Sequence, residues 1–338
     1  MRAAVRASTA FLFSALPAWD PAGLPPLVLV DGSAFVFRNY YARQGLENAG
    51  VVGFCRSLLG LLVPLPPDAP LGAGPPQVVV AFDSGTPSFR KDIDSSYKAQ
   101  RTAPPDDLIP QFHLAQEACR AFSWTVLSAP SFEADDIIAT CARGAEAHRP
   151  VVIVGADKDF LQLVSDQVLV YDPNKKTVVT AVDVEARFGV RPDQMIDFQA
   201  LMGDSTDGVP GVPGIGPKTA AELLKRFGTM DSVLEKAENP ENIPQPKRRE
   251  NLLNFRGDRA RTTRDLVTLK CDVPASKFDP PLSEADFSAL LRSPVPFAPR
   301  QPALEFCEAH LPEHRAVADT VRRVWGRQEE AASSTPGW

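Results

Sequence analysis

The chain is poor in the residues that build soft-metal and disulfide sites. It has four histidines and five cysteines in 338 residues. The cysteines (Cys55, Cys119, Cys141, Cys271, Cys307) are scattered, with no C-x-x-C pair. An odd, dispersed set reads as free thiols in a reducing compartment and excludes a disulfide framework or a zinc ribbon. The isolated histidines exclude a His-based metal centre. No apolar run reaches the roughly 18 residues needed to cross a bilayer, so the expectation is a soluble intracellular protein. Positive charge is not in excess either, and the net charge of −6 argues on its face against a polyanionic partner. What the chain does have is 44% hydrophobic residues, enough for a full core in one large domain with a lobe or in two domains.

The average charge hides an asymmetry. Residues 131–207 hold 14 acids against 7 Lys/Arg, whereas residues 211–264 hold 11 Lys/Arg against 7 acids. An acidic centre beside a basic flank suits a metal-dependent enzyme acting on a polyanion; a merely solvated charge distribution is the alternative. The acidic centre focuses on Ser131-Phe132-Glu133-Ala134-Asp135-Asp136-Ile137-Ile138-Ala139. On a helix Glu133 and Asp136 share a face at i and i+3, with Asp135 about 100° around. Three acids that close need a cation, a proton or full solvation. Alternatively they are ordinary first-turn acids favoured by the helix dipole.

Three short apolar runs end in aspartate. Leu27-Val28-Leu29-Val30 leads into Asp31-Gly32-Ser33, Val78 to Phe82 into Asp83, and Val151 to Val154 through Gly155-Ala156 into Asp157-Lys158-Asp159. Helix-like segments at 51–62, 108–122 and 132–143 separate them, which predicts an α/β fold with a central parallel sheet. Ligands in such sheets sit outside the carboxyl ends of the strands, where these aspartates arrive. A lone aspartate after a strand is usually a cap or turn residue. Further on, Val168 to Tyr171 reads as another strand, and 182–187, 192–202, 244–264 and 308–327 as helices. Asp204 and Asp207 bring two more acids in a turn, or merely shape it.

Other stretches bear on binding. The long polar segment 84–107 interleaves Arg90, Tyr97, Lys98 and Arg101, a pattern suited to stacking a base and contacting phosphates; a solvated loop is the alternative. Gly214, Gly216, Pro217, Lys218 and Thr219 predict a tight turn feeding a helix N-terminus, a phosphate-backbone binder. This is not a Walker loop, because Pro217 intervenes before Lys218. Residues 63–76 form a stiff proline-rich loop without assigned chemistry. Residues 1–26, basic and serine-containing with no acid before Asp20, read as a plastid or mitochondrial targeting segment or a frayed terminus.

Taken together, Asp31-Gly32-Ser33, Phe82-Asp83, Tyr97-Lys98 with Arg101, Glu133-Ala134-Asp135-Asp136, Asp157-Lys158-Asp159, Met202-Gly203-Asp204 with Asp207, and the glycine hairpin through Ala220 make residues 27–295 resemble the 5′-to-3′ exonuclease domain of bacterial DNA polymerase I and the related flap endonucleases. The resemblance implies a PIN-like domain at 27–200 with a helical arch, a helix-hairpin-helix-like DNA-binding module at 201–296, and an extension of unassigned role at 297–338. It implies Asp31, Asp83, Glu133, Asp135 and Asp136 around one Mg²⁺ or Mn²⁺, and Asp157, Asp159, Asp204 and Asp207 around a second. Lys98 and Arg101 would contact the scissile phosphate, Tyr97 would stack on a nucleotide, and Arg90 would join the DNA contacts. Gly214, Gly216, Lys218 and Thr219 would hold duplex DNA, with K⁺ at the hairpin. The implied activity is two-metal hydrolysis of DNA 5′ ends or flaps by a monomer in replication and repair. A PIN-type ribonuclease and a non-catalytic DNA-binding scaffold are the competing readings.

Overall fold

The computed structural model describes residues 24–43, 45–62, 76–293 and 300–323. The expected targeting segment up to residue 23, the proline-rich loop 63–75 and the tail from 324 lie outside the described residues.

The six strands are β1 (Leu27–Asp31), β2 (Gln77–Ala81), β3 (Thr125–Leu127), β4 (Val151–Val154), β5 (Val168–Asp172) and β6 (Thr177–Val179). They form one sheet in the order β3-β2-β1-β4-β5-β6, parallel except for β6. Every residue of β1, β2, β4 and β5 is buried. Such two-sided burial is why these strands read as unbroken apolar runs rather than alternating ones. Val28 and Val30 of β1 face a core shared with α1 (Gly32–Ala42), α2 (Ala49–Leu62) and a later helix. Leu27 and Leu29 face the other core, which includes Ile137 and Ile138.

Segment 84–107 departs from the implied helical arch. It carries one four-residue helix, α3 (Arg90–Ile93), followed by turns, and is laid against the loop at 204–208. The Lys98 N–H donates to the Asp207 carbonyl at 2.8 Å, and Gln100 Nε2 to the Ser205 carbonyl at 2.6 Å. The backbone at Lys98 is left-handed, φ 52°, a conformation that interrupts any helix there. After it come α4 (Ile109–Ala121), which completes the core beneath α1 and α2, and α5 (Ala134–Ala145) on the opposite face.

The second half is helical: α6 (Ala181–Phe188), α7 (Met195–Met202), α8 (Pro217–Phe227), α9 (Met230–Lys236), α10 (Pro246–Asn254) and α11 (Asp258–Val267). Leu223, Leu224, Val233, Leu252 and Leu266 join the core on the α5 side of the sheet. The expected continuous helix at 244–264 is split, because Gly257 adopts φ 70° between α10 and α11. After α12 (Glu284–Arg292), α13 (Arg300–His310) ends ahead of Pro312, which cannot continue it, and a further helical stretch over 315–323 falls within the helix expected at 308–327. Phe306 of α13 packs edge-on to Phe122, so part of the C-terminal extension seals the core shared by α1, α2 and α4. Among the described residues no helix is long and apolar enough to cross a membrane.

Candidate active site

Strand order reverses at β1. The chain moves outward through β2 and β3, then returns to place β4 on the other side of β1. A crevice therefore opens at the carboxyl ends of β1 and β4, the position where ligands bind in open α/β sheets. Asp31 closes β1, Asp83 follows β2, Asp157 follows β4, and Glu133 and Asp135 stand at the start of α5.

The aspartates act as caps. Asp31 Oδ1 accepts the Ala34 N–H at 2.9 Å, Asp83 Oδ1 the Ala134 N–H at 3.0 Å, and Asp157 Oδ1 the Asp159 N–H at 2.9 Å. Each of these bonds takes one carboxylate oxygen, fixing the side chain while the second oxygen stays uncommitted. The Ser33 hydroxyl accepts the Asp83 N–H at 2.9 Å, tying the β1 and β2 ends together.

Asp136 leaves the set of candidate metal ligands. It is 0% exposed, and Arg90 clasps it with two bonds, Nη2 to Oδ1 at 2.7 Å and Nη1 to Oδ2 at 2.8 Å. The N–H groups of Lys270 and Glu133 use its remaining acceptor capacity. Arg90 likewise cannot touch DNA. It is 1% exposed, reaches Glu133 Oε2 at 3.1 Å, and donates to the carbonyls of Leu266 and Thr268 at 2.9 Å each. Tyr97 is also misplaced for stacking on a base: its ring is 4% exposed and its hydroxyl donates to Glu133 Oε2 at 3.1 Å. The sequence places these residues near the site, but it does not show that their side chains turn inward.

Basic side chains hold Glu133, Asp204 and Asp207. Lys98 Nζ lies 2.8 Å from Glu133 Oε1 and 3.7 Å from Asp207 Oδ2. Arg101 pairs with Asp207 at 2.6 Å and Lys158 with Asp204 at 2.8 Å. Burial works against the Asp204 carboxylate, but Lys158 and backbone N–H groups prevail and hold its pKa below the usual range. Acids without such partners move the other way. Burial and then the charge of Asp83 push Asp31 up to about 7. Burial and then Asp31 and Asp157 push Asp135 well above its ordinary value. Burial and then Asp157 push Asp159 to about 7.

These shifts set a pH dependence. An aspartic acid whose folded-state pKa lies above its unfolded value contributes stability that is complete below about 4 and lost as pH rises through about 7. In a chelator, the thermal midpoint should therefore fall as pH rises from about 5 to about 8, by on the order of a few kcal/mol in stability. Added Mn²⁺ should restore more at about pH 8 than at about pH 5, because protons and the ion compete for the same oxygens. A midpoint that rises over this interval in chelator would refute the mutual repulsion.

As the side chains stand, no three His, Cys, Asp or Glu residues among those described close on one point where an ion could be held. Lys98, Arg101 and Lys158 draw Glu133, Asp207 and Asp204 toward themselves, while Asp31, Asp83 and Asp157 each spend one oxygen on a backbone N–H. The donor chemistry nevertheless fits a hard divalent ion: oxygen ligands only, mutually repelling, without imidazole or thiol, with Asp31, Asp204 and Asp207 buried and Asp83 and Asp157 open to solvent. A second sign of fit is Gln199, which sequence reading passed over. Its Nε2 donates to Asp159 Oδ1, while its Oε1 is a buried polar atom without a hydrogen-bond partner. Its place four residues before Gly203-Asp204 was the available signal.

Gly214 has φ 77°, Gly216 precedes Pro217 at the start of α8, and neither has a neighbour within 4 Å of where a Cβ would lie. Gly214, Gly216 and Lys218 are exposed and Thr219 is half-buried. The hairpin thus offers open backbone and a helix N-terminus to an anion.

Two family models match in succession: "5'-3' exonuclease, N-terminal resolvase-like domain" over residues 26–189 and "5'-3' exonuclease, C-terminal SAM fold" over residues 190–286. DNA polymerase I of Rhizobium leguminosarum is 49% identical over 257 residues, 73% of this chain and 25% of that protein. DNA polymerase I of Chloroflexus aurantiacus is 39% identical over 266 residues, 74% of this chain and 27% of that protein. The chain thus spans about a quarter of the length of the curated relatives it matches. Among solved structures, T5 5′-exonuclease with bound zinc superposes with a TM-score of 0.59 at 20% identity, covering 88% of this chain and 99% of that one. The catalytic core of Rad2 in complex with DNA substrate superposes at 0.58 and 18% identity, covering 90% and 94%. These two share the fold: a PIN-type sheet domain followed by a helical module. With both family models aligned end to end across its sheet and its helical half, the chain belongs to the 5′-3′ exonuclease family.

Proposed function

We propose that the chain hydrolyses DNA phosphodiesters as a metal-dependent 5′-3′ exonuclease and flap endonuclease. The observation that carries this reading is the convergence of acids from separate chain segments on the crevice where strand order reverses, beside the cations of Lys98 and Arg101. Asp31, Asp83, Glu133 and Asp135 would hold one Mg²⁺ or Mn²⁺, and Asp157, Asp159, Asp204 and Asp207 a second. When bound, such ions lower the pKa of the attacking water and stabilise the leaving oxygen. Lys98 and Arg101 supply positive charge at the phosphate as negative charge builds in the transition state. The hairpin at Gly214 to Thr219 grips the duplex backbone without reading bases, and a K⁺ at its carbonyls belongs to the same reading. The test is a 5′-labelled flap duplex with Mg²⁺. Cleavage at the flap junction, abolished by chelator, is expected, whereas selective cleavage of an RNA strand would favour a ribonuclease and binding without products a scaffold.

Lys98 has a cost in this scheme, because it occupies acids that the ions need. Lys98→Met should bind Mn²⁺ several-fold more tightly than wild type by calorimetry while cutting on the order of 10²-fold more slowly. Lys98→Arg should keep the wild-type metal affinity. Metal affinity unchanged in Lys98→Met would show that the ammonium does not compete.

A further inference from the structure

Gln199 lies in α7 among Met195, Phe198, Ala200 and Leu201, all buried, and is itself 0% exposed. Its side chain is half satisfied: Nε2 donates to Asp159 Oδ1 and Oε1 has no partner. Among the described residues this is the one buried side-chain polar atom left without a hydrogen bond. An unpaired buried amide oxygen is costly, and a leucine or methionine would fill the same space without that cost. Rotating the amide does not remove the problem. Oε1 would then face a carboxylate oxygen and Nε2 would be the orphan.

The position of Gln199 suggests what the oxygen is for. Its own carbonyl accepts the Gly203 N–H at 2.7 Å, so it sits on the last turn of the helix that delivers Asp204 and Asp207. Its amide nitrogen meanwhile holds Asp159, at the end of the sheet. One side chain therefore bridges the two chain segments assigned to the second ion.

We propose that Gln199 is a positioning residue for that second group of acids. Nε2 turns Asp159 toward the crevice, and Oε1 accepts hydrogen from the hydration shell that a hard divalent ion brings with it. The inference rests on the metal-dependent reading above and adds to it a neutral residue outside the acid set.

The test compares wild type with Gln199→Leu and Gln199→Met, two apolar replacements of similar size. Thermal midpoints in chelator and Mn²⁺ affinity by calorimetry are both measured. The expected result is a midpoint close to wild type, because removing the orphan oxygen offsets losing the bond to Asp159, with Mn²⁺ affinity lowered about tenfold. Mn²⁺ affinity within about twofold of wild type in both variants would overturn the proposal. So would a clear fall of the midpoint in both, which would make the amide a packing element. If wild type binds Mn²⁺ and cuts the flap while the variants bind equally well, this inference alone fails. Absence of Mn²⁺ binding by wild type would remove the metal reading and this proposal together.

Discussion

Asp135→Asn is expected to lower cleavage of a 5′-flap duplex by on the order of 10³-fold or more while raising the thermal midpoint of the chelated protein. Both effects have one origin. Burial, and then the charges of Asp31 and Asp157, disfavours the ionised form of Asp135. Asparagine keeps the shape and removes the repelled charge, which should raise stability at neutral pH. The same exchange removes a carboxylate that the proposed function assigns to the first ion. Circular dichroism melts in chelator and single-turnover cleavage in Mg²⁺ measure the two arms. A variant that melts lower, or that cuts at a wild-type rate, would contradict the arrangement.

Arg90→Met is expected to cost about 3–5 kcal/mol, a fall on the order of 10 °C in the midpoint. The substitution strands the Asp136 carboxylate in a fully buried position and unpairs the Leu266 and Thr268 carbonyls. Arg90→Lys should recover little, since an ammonium cannot reproduce the two-pronged clasp. The double variant Arg90→Met/Asp136→Leu should be more stable than Arg90→Met, because the orphaned charge goes with its partner. Urea unfolding of wild type, Arg90→Met, Asp136→Leu and the double variant closes the cycle. The salt dependence of duplex binding should not change in Arg90→Met, as a 1%-exposed guanidinium releases no counterion from DNA. A reduced salt slope would return Arg90 to the DNA contacts.

The strands that position the site could be read from the sequence because burial on both faces leaves an unmistakable run of valine, leucine and isoleucine. The three-residue edges β3 and β6 are too short for such a signature and went unseen. Helix positions were clear where a single face is apolar, and failed where one glycine, Gly257, turns a continuous basic stretch into two helices. Within the site, the acids were apparent from their placement after strands. The fate of Arg90, Asp136 and Tyr97 was not, because it depends on contacts distant in the chain. Arg90 finds its carbonyl partners 176 and 178 residues away, a separation that no local pattern encodes. Lys98 was expected to meet phosphate, and here it lies against Glu133 and Asp207, satisfying those acids.

The caps formed by Asp31, Asp83 and Asp157 bear on how such a protein can drift through descent. Each needs only one side-chain oxygen to hold its backbone N–H, and asparagine supplies one. A lineage that came to require the grip on duplex without the cutting could therefore retire the chemistry by single exchanges that leave the scaffold intact. Silent descendants of this fold would be betrayed by amides at strand ends, not by damaged cores.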